Sequence, residues 1–389
     1  MPRIIKTATI PIKIWAGEVE EGAMQQAYNL AALPFAYKHV ALMPDVHEGF
    51  GMPIGGVLAT EGAVIPNAVG VDIGCGMCAV KTPLTTIDPK TIKRIMSDIR
   101  KHIPLGFKHH KHKQDANLMP DTTGVVTGGI VEREFENARD QIGTLGGGNH
   151  FIEIQKGSDG MIWLMVHSGS RNIGHTVAEY YNKLAKKLNE QWDPNFNKAS
   201  NLAFFPVDTV EAEAYISEMK YCIDFAFANR KLMMQTIEQI SSDVFKGQFR
   251  ELDFINIAHN YAVREKHFGK QVWVHRKGAT SAREGEYGII PGSQGTKSYI
   301  VRGKGNPESF MSCSHGAGRV MGRKQAQRTL DLNTEISRLD AQGIIHSIRS
   351  QRDLDEAPGA YKNIGEVMKN QEDLVDIVLE LEPLAVIKG

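Results

Sequence analysis

The sequence predicts a mixed α/β (α+β) fold: one intertwined domain over residues 1–389, with central β-sheets bearing the functional site and helices outside. Three observations carry that expectation. Short apolar, strand-like runs recur between helical segments along the whole chain. No internal repeat with a period of roughly 20–50 residues and no low-complexity linker divides it. Glycine-rich segments fall between the strands and hold the reactive side chains: DVHEGFGMPIGG, VGVDIGCGMC, GTLGGGNHFIE, VHSGSRNIG, IIPGSQGTKS and SCSHGAGR. Glycine permits positive φ and a close approach of backbone to a ligand. So many such loops in one chain point to one site assembled from distant parts of the sequence.

Taken in order, residues 17–33 read as a helix whose early acidic residues suit the helix dipole. HVALMP (39–44) and MCAVKTPL (77–84) read as strands. Residues 88–103 read as a helix with Asp88 as N-cap. Residues 151–155 and 161–167 are apolar, strand-like runs, and the longest helix is expected at 209–245, rich in Ala, Met, Glu and Lys. QVWVH (271–275) and KSYIV (297–301) look like strands; 319–339 and 363–380 look helical, the first with Arg319 and Arg323 on one face.

Composition narrows the function classes. Hydrophobic residues make up 42% and charged residues 23%, enough for a large core, which excludes disorder as the main state. Lys+Arg and Asp+Glu both total 45, so a polycationic tail-type nucleic-acid binder is not expected, although a local basic groove is compatible with neutrality. The most apolar stretch, 54–80, is broken by Glu61, Pro66 and Asp72, so no membrane span is expected. The N-terminus lacks a long apolar segment and a cleavage site, so no signal peptide is expected. Four cysteines (Cys75, Cys78, Cys222 and Cys313) are too few for a disulfide scaffold; the expected setting is the reducing cytoplasm.

Asp72 and Cys75 lie three apart in VGVDIGCGMC, where a carboxylate and a thiolate on a flexed turn can converge on a metal. Cys78 completes a C-x-x-C, which alone reads as well as half a structural zinc site or a redox pair. Most of the 14 histidines have ordinary readings: His102, His109, His110 and His112 sit in the basic segment KHIPLGFKHHKHK, and His39, His267 and His346 read as surface or half-buried residues. His150, His167, His259 and His315 differ, because each ends a strand-like run or sits in a glycine loop. Together with Asp72 and Cys75 they point to a di-metal centre; imidazole, carboxylate and one thiolate suit Mn, Fe, Co or Zn. The loops GGGNH, PGSQGTKS and SHGAGR offer backbone N–H groups and hydroxyls of the kind that cradle phosphates, without the P-loop spacing. Arg171 and Arg319 each follow a histidine by four residues and can clamp a phosphoryl group. Taken alone, either arginine reads better as a solvated residue or a surface ion pair, and the lysines of 101–113 as a solvated face.

Together these motifs resemble the RtcB RNA ligases, which join RNA ends carrying 3′-phosphate or 2′,3′-cyclic phosphate to 5′-hydroxyl ends. The resemblance runs from PDVHEGFGMPIGG through VDIGCG, LGGGNHFIE, HSGSR, AHNY, RKGA, YGIIPGS, SCSHGAGR and AYK to the terminal AVIKG, in the family's order. It implies a two-manganese ligand set of Asp72, Cys75, His150, His167 and His259, with Cys75 bridging both ions. It implies that His315 becomes covalently guanylylated by GTP. Asn149, Glu153, Ser293, Ser298, Ala317, Gly318, Tyr361 and Lys388 match positions around the guanine nucleotide. Arg171 and Arg319 match arginines near the phosphates or RNA, and Asp45 and His47 fall at the reacting RNA end. An archease-type activating partner is left open. Gln294, Asn172, Cys78 and His275 depart from the family pattern without removing a ligand or the nucleophile. A di-metal phosphodiesterase or phosphatase acting on RNA ends, and a non-catalytic RNA-binding module, are the competing classes; only the ligase needs His315 and a nucleotide pocket.

Overall fold

In the computed structural model, residues 2–193, 196–247 and 252–389 are described. A six-stranded sheet runs in the order Arg3–Ile5, Ile12–Ile14, Ala36–Phe50, Met52–Thr60, Lys270–Lys277, Asn260–His267. A seven-stranded sheet runs in the order Asp253–Ala258, Gly76–Lys81, Ile162–Ser168, Phe151–Gly157, Val375–Lys388, Ser298–Gly303, Tyr287–Ile290. Each sheet takes strands from both halves of the sequence, and the mixed α/β class follows directly.

The seven-stranded sheet is covered on both faces, and its residue alternation shows it. Cys78, Val80, Ile152, Ile154, Leu164 and Val166 pack against Met233, Met234, Ile237 and Ile240 of the helix Val210–Val244 and against Ile92, Ile95 and Ile99 of the helix Pro89–His102. Met77, Ala79, Met165, Ile300 and Leu381 on the other face pack against Leu339, Ile344, Ile348 and Leu354. A sheet buried twice over reads as continuous apolar runs, as MCAV and IWLMV do. Each fully buried Leu, Ile or Met side chain here contributes about 1.5–3 kcal/mol of transfer free energy.

The expected helices at 17–33, 88–103 and 209–245 appear as Glu21–Ala31, Pro89–His102 and Val210–Val244. Asp88 caps the second, its Oδ1 accepting the N–H groups of Lys90 and Thr91 at 3.0 Å. Two expectations are corrected. Residues 319–339 are not one helix: Arg319–Gly322 is irregular, and two short helices follow, Arg323–Thr329 and Leu332–Asp340, because Asp331 caps a new helix start by accepting the Thr334 N–H at 2.8 Å. Arg319 and Arg323 therefore share no helix face. Residues 363–380 are helical only over Ile364–Lys369; Val375–Lys388 is a 14-residue strand. Its β-branched residues Val375, Ile377, Val378, Val386 and Ile387 favour that state, and it is hydrogen-bonded on both sides. The helices Ile130–Ala138 and Arg171–Trp192 were not anticipated. His39, His267 and His346 are buried rather than surface residues, paired with the Glu308 carbonyl, Glu265 and Asp340. His102 closes a helix instead of lying in the following loop.

Candidate metal and nucleotide site

Antiparallel pairing brings five distant segments to one edge of the seven-stranded sheet. Ala258 pairs with Gly76, Gly76 with Ser168, His167 with Phe151, and Phe151 with Lys388. His259, Cys75, His167, His150 and Lys388 therefore stand at successive strand ends on the same side. Cys75 is reinforced there by a strap: Gly74 N–H donates to the Asn260 carbonyl, Asn260 Nδ2 to the Asp72 carbonyl, and His259 N–H to the Cys75 carbonyl, all within 3.0 Å.

Two ligand triads result. Cys75, His167 and His259 form one and Asp72, Cys75 and His150 the other, with donor atoms in each triad within 4.8 Å of one another. Cys75 belongs to both. Its Sγ lies 3.5 Å from His150 Nε2 and 3.3 Å from His167 Nε2, and Asp72 Oδ2 lies 3.0 Å from His150 Nε2. His150 and His167 donate their Nδ1–H to the Leu145 and Asn149 carbonyls at 2.9 and 3.1 Å, which turns both Nε2 lone pairs toward Cys75. Among the described residues, His259 Nδ1 is buried without a hydrogen-bond partner. Burial, then the neighbouring imidazoles, hold His167 and His259 well below the usual histidine range, so both are neutral. Burial pushes the Cys75 thiol up, as does Asp72 beside it. Burial would raise Asp72 as well, but His150, Cys75 and Arg171 together outweigh it and hold the carboxyl down to about 2. Neutral imidazoles, an ionised carboxylate and a thiol whose proton a cation would displace are a donor set that fits transition metals.

The long helix positions these loops through two buried polar residues that the motifs did not reveal. Asn229 Oδ1 accepts the N–H groups of Gly143 and Thr144, and its Nδ2 donates to the Thr144 and Gly169 carbonyls. Arg230, fully buried, donates to the Gly74 and Ser168 carbonyls at 2.9 Å. Cys78, the third residue of the strand Gly76–Lys81, points to the core instead, with Sγ 3.8 Å from the Arg230 carbonyl and its thiol pushed up to about 12 by burial.

His315 follows the strand Ser312–Ser314, and its ring centroid is 4.8 Å from that of His259. Asp45 Oδ2 accepts His315 Nδ1–H at 2.6 Å and the N–H groups of His315 and Gly316 at 3.1 and 3.3 Å. Asp45 occupies an irregular stretch of Ala36–Phe50, where the register against Met52–Thr60 shifts between Leu42 and His47. Pro44 has no N–H for the ladder there. Close packing explains Gly318: its φ is +72°, and a Cβ would lie 2.2 Å from the Asp45 carbonyl oxygen. His47 donates Nδ1–H to the Asp45 carbonyl at 2.9 Å.

A cleft of about 770 Å³ joins the metal triads to the expected nucleotide residues. Every one of the glycine-rich segments supplies lining: Gly49, Asp72, Asn149, His167, Ser293 and His315 are one from each, and Glu153, Ala317, Gly318, Arg319, Tyr361 and Lys388 line it too. Ser298 lies beneath the lining, its Oγ accepting from Gln155 Nε2 at 3.1 Å. Burial raises Glu153 to about 8. Lys277, with burial lowering it to about 7, also lines the cleft and donates to the Phe50 and Asn67 carbonyls.

Glu356 is a further residue with no sequence signal. It is buried, Oε1 2.9 Å from Arg319 and 3.2 Å from Arg323, Oε2 3.5 Å from Lys388 and hydrogen-bonded by the Tyr361 hydroxyl. Arg319 is thus fixed by an acidic partner. Arg171 lies behind the metal triads, donating Nε–H to Thr144 Oγ1 at 3.1 Å.

Among the described residues, no helix is long and apolar enough to cross a membrane. The family model described as tRNA-splicing ligase RtcB matches residues 26–131 and 125–389. The RNA-splicing ligase RtcB of Escherichia coli strain K12 is 39% identical over 408 residues, covering 99% of each chain. The tRNA-splicing ligase RtcB of Thermococcus kodakarensis is 32% identical over 468 residues, covering 100% of this chain and 97% of its own. With a family match across nearly the whole chain and the motif loops gathered at one cleft, the protein belongs to the RtcB ligase family.

Proposed function

We propose that the chain is a GTP- and manganese-dependent RNA ligase that joins 3′-phosphate or 2′,3′-cyclic phosphate ends to 5′-hydroxyl ends. Residues 1–389 act as one catalytic domain, in the cytoplasm, in RNA repair or tRNA splicing, with an archease-type activator as a candidate partner. The observation that carries the reading is the setting of His315: its Nδ1 is held by Asp45, and its ring packs against His259 of the Cys75 cluster.

With Nδ1 protonated, Nε2 carries the free lone pair. It attacks the α-phosphorus of GTP, forming a P–N bond as pyrophosphate leaves. The guanylate passes from His315 to the RNA 3′-phosphate, giving an RNA-ppG end, and the imidazole is regenerated. A 5′-hydroxyl attacks that end and GMP leaves; a cyclic phosphate is first hydrolysed to the 3′-phosphate. Asp72, Cys75, His150, His167 and His259 would hold two manganese ions, sharing Cys75. Bound there, the metals supply Lewis-acid polarisation of phosphoryl oxygens. Asn149, Glu153, Ser293, Ser298, Ala317, Gly318, Tyr361 and Lys388 surround the guanine nucleotide. Arg319 and His47, which line the cleft, serve the phosphates and the RNA end, while the buried Asp45 orients His315 and Arg171 braces the loops behind the metal residues.

Incubation with α-labelled GTP and Mn²⁺ tests this. Wild type should acquire an acid-labile guanylate and His315→Ala none. Hydrolysis of RNA ends without any labelling would select the phosphodiesterase instead.

A further inference from the structure

The segment after the helix Pro89–His102 is basic, and it is fastened at both ends. Leu145 N–H donates to the Pro104 carbonyl and Gly106 N–H to the Gly146 carbonyl, at 3.0 and 2.9 Å. Further on, His110 and Gln114 N–H groups donate to the Asp140 and Arg139 carbonyls, both at 2.9 Å. Between these fastenings Phe107 is fully exposed, at 101%. A phenyl ring held out by an anchored backbone gains nothing from folding, because it leaves its whole apolar surface in water.

The charges divide in the same way. Lys113 pairs with Glu136 at 2.7 Å, and His109 stands 3.5 Å from Asp140. Lys108 and Lys111 are exposed and have no carboxylate partner among the described residues.

This turn adjoins the metal cluster. Arg171 donates to the Gly106 carbonyl at 3.4 Å. A Cβ on Gly146, which pairs with Leu105, would lie 2.0 Å from Arg171 Nη1 and 2.8 Å from His150 Nδ1. Phe107 is thus next to Gly106, whose N–H is bonded to the Gly146 backbone that abuts a candidate ligand.

We propose that Phe107, Lys108 and Lys111 form a docking platform for single-stranded RNA leading away from the reacting end. A base stacks on Phe107 and the flanking phosphates meet the two free ammonium groups. Stacking on an aromatic ring beside unpaired cations is the usual chemistry of sequence-tolerant single-strand binding. The proposal rests on the RNA ligase reading and extends it to the strand beyond the cleft.

The test uses the full chain, metal-loaded, and a fluorescent single-stranded RNA with a 3′-phosphate, titrated at several salt concentrations. Phe107→Ala should weaken binding by about 5- to 150-fold, and Phe107→Trp should restore it. Lys108→Ala/Lys111→Ala should reduce the slope of log affinity against log salt by about 1.4, the counterion release of two phosphate contacts. Melting temperature and bound-metal content check that the variants fold. If wild type takes up guanylate and ligates, yet the variants bind RNA as it does, the platform is overturned while the ligase reading stands. If wild type takes up no guanylate but binds RNA through Phe107, the ligase reading falls and the platform stands. A change in self-association without a change in RNA affinity overturns the platform and marks Phe107 as a protein contact.

Discussion

Asp45 Oδ2 lies 2.6 Å from His315 Nδ1 and accepts two backbone N–H groups of the same loop. One buried oxygen thus fixes the ring's tautomer and the path of the chain that carries it. Burial alone would raise the Asp45 carboxyl, but His315, His47 and Lys362 hold it below its ordinary value, so it acts as an acceptor only. An amide in its place could donate to Nδ1 and would move the ring proton to Nε2, blocking the attack on GTP. Asp45→Asn should therefore slow guanylate uptake by about 10⁴-fold, the scale at which a comparable tautomer error acts in a catalytic triad, with metal content unchanged. Single-turnover labelling with α-labelled GTP measures it; a rate within tenfold of wild type would remove Asp45 from this role.

Cys75 stands in both triads, so its loss should empty both at once. Cys75→Ala should bind no manganese at concentrations that saturate wild type, whereas Cys78→Ser should keep the full complement, since Cys78 faces Arg230 and the core. Metal analysis after gel filtration distinguishes the two; one ion retained by Cys75→Ala at full affinity would rule out a shared thiolate. Because burial and Asp72 raise the Cys75 thiol, a metal must displace its proton. Affinity should then climb by about tenfold per pH unit for that single proton as pH rises toward the free thiol's range, and chelator competition at several pH values reads it.

The candidate site residues were legible because each sits in a short motif with few structural reasons to exist. Cys75, His150 and His259 each flank a strand and His167 stands near the end of one, and pairing alone then brings them together. What was not legible depends on contacts across the sequence. Val375–Lys388 carries charges at Asp376, Glu380 and Glu382 spaced much as on a helix, and only partners on both sides make it a strand. Asn229 and Arg230 look like polar residues of an ordinary long helix until the loops they hold are seen. Arg319 reads as a free cation until Glu356, 37 residues later, is found against it.

Glu356 holds Arg319, Arg323, Lys388 and the Tyr361 hydroxyl together while only 2% exposed. Removing one member of a buried ion network leaves the others uncompensated, at about 3–5 kcal/mol. Glu356→Ala should lower unfolding stability by that amount and weaken GTP binding, because Tyr361 and Lys388 lose the group that positions them. Glu179→Ala, which breaks the exposed pair with Lys183, should change stability by less than about 0.5 kcal/mol. Denaturant unfolding of both variants makes the comparison; equal effects would mean that Glu356 is not the centre of the network.

Glu153 gives the cleft a pH dependence with a definite sign. Burial raises its carboxyl to about 8, with Lys388 and Gln155 pulling the other way. In the free protein near neutrality it is therefore mostly protonated. A guanine edge presents N–H donors and selects the carboxylate, so GTP binding must expel the proton. Affinity should rise with pH below about 8 and level off above it, and binding should release close to one proton at about pH 7. Calorimetric titration of GTP in buffers of different ionisation enthalpy counts that proton. Glu153→Gln should bind GTP more weakly and with no such release; proton uptake by wild type, or an affinity that falls as pH rises toward 8, would show that the carboxyl does not face the base.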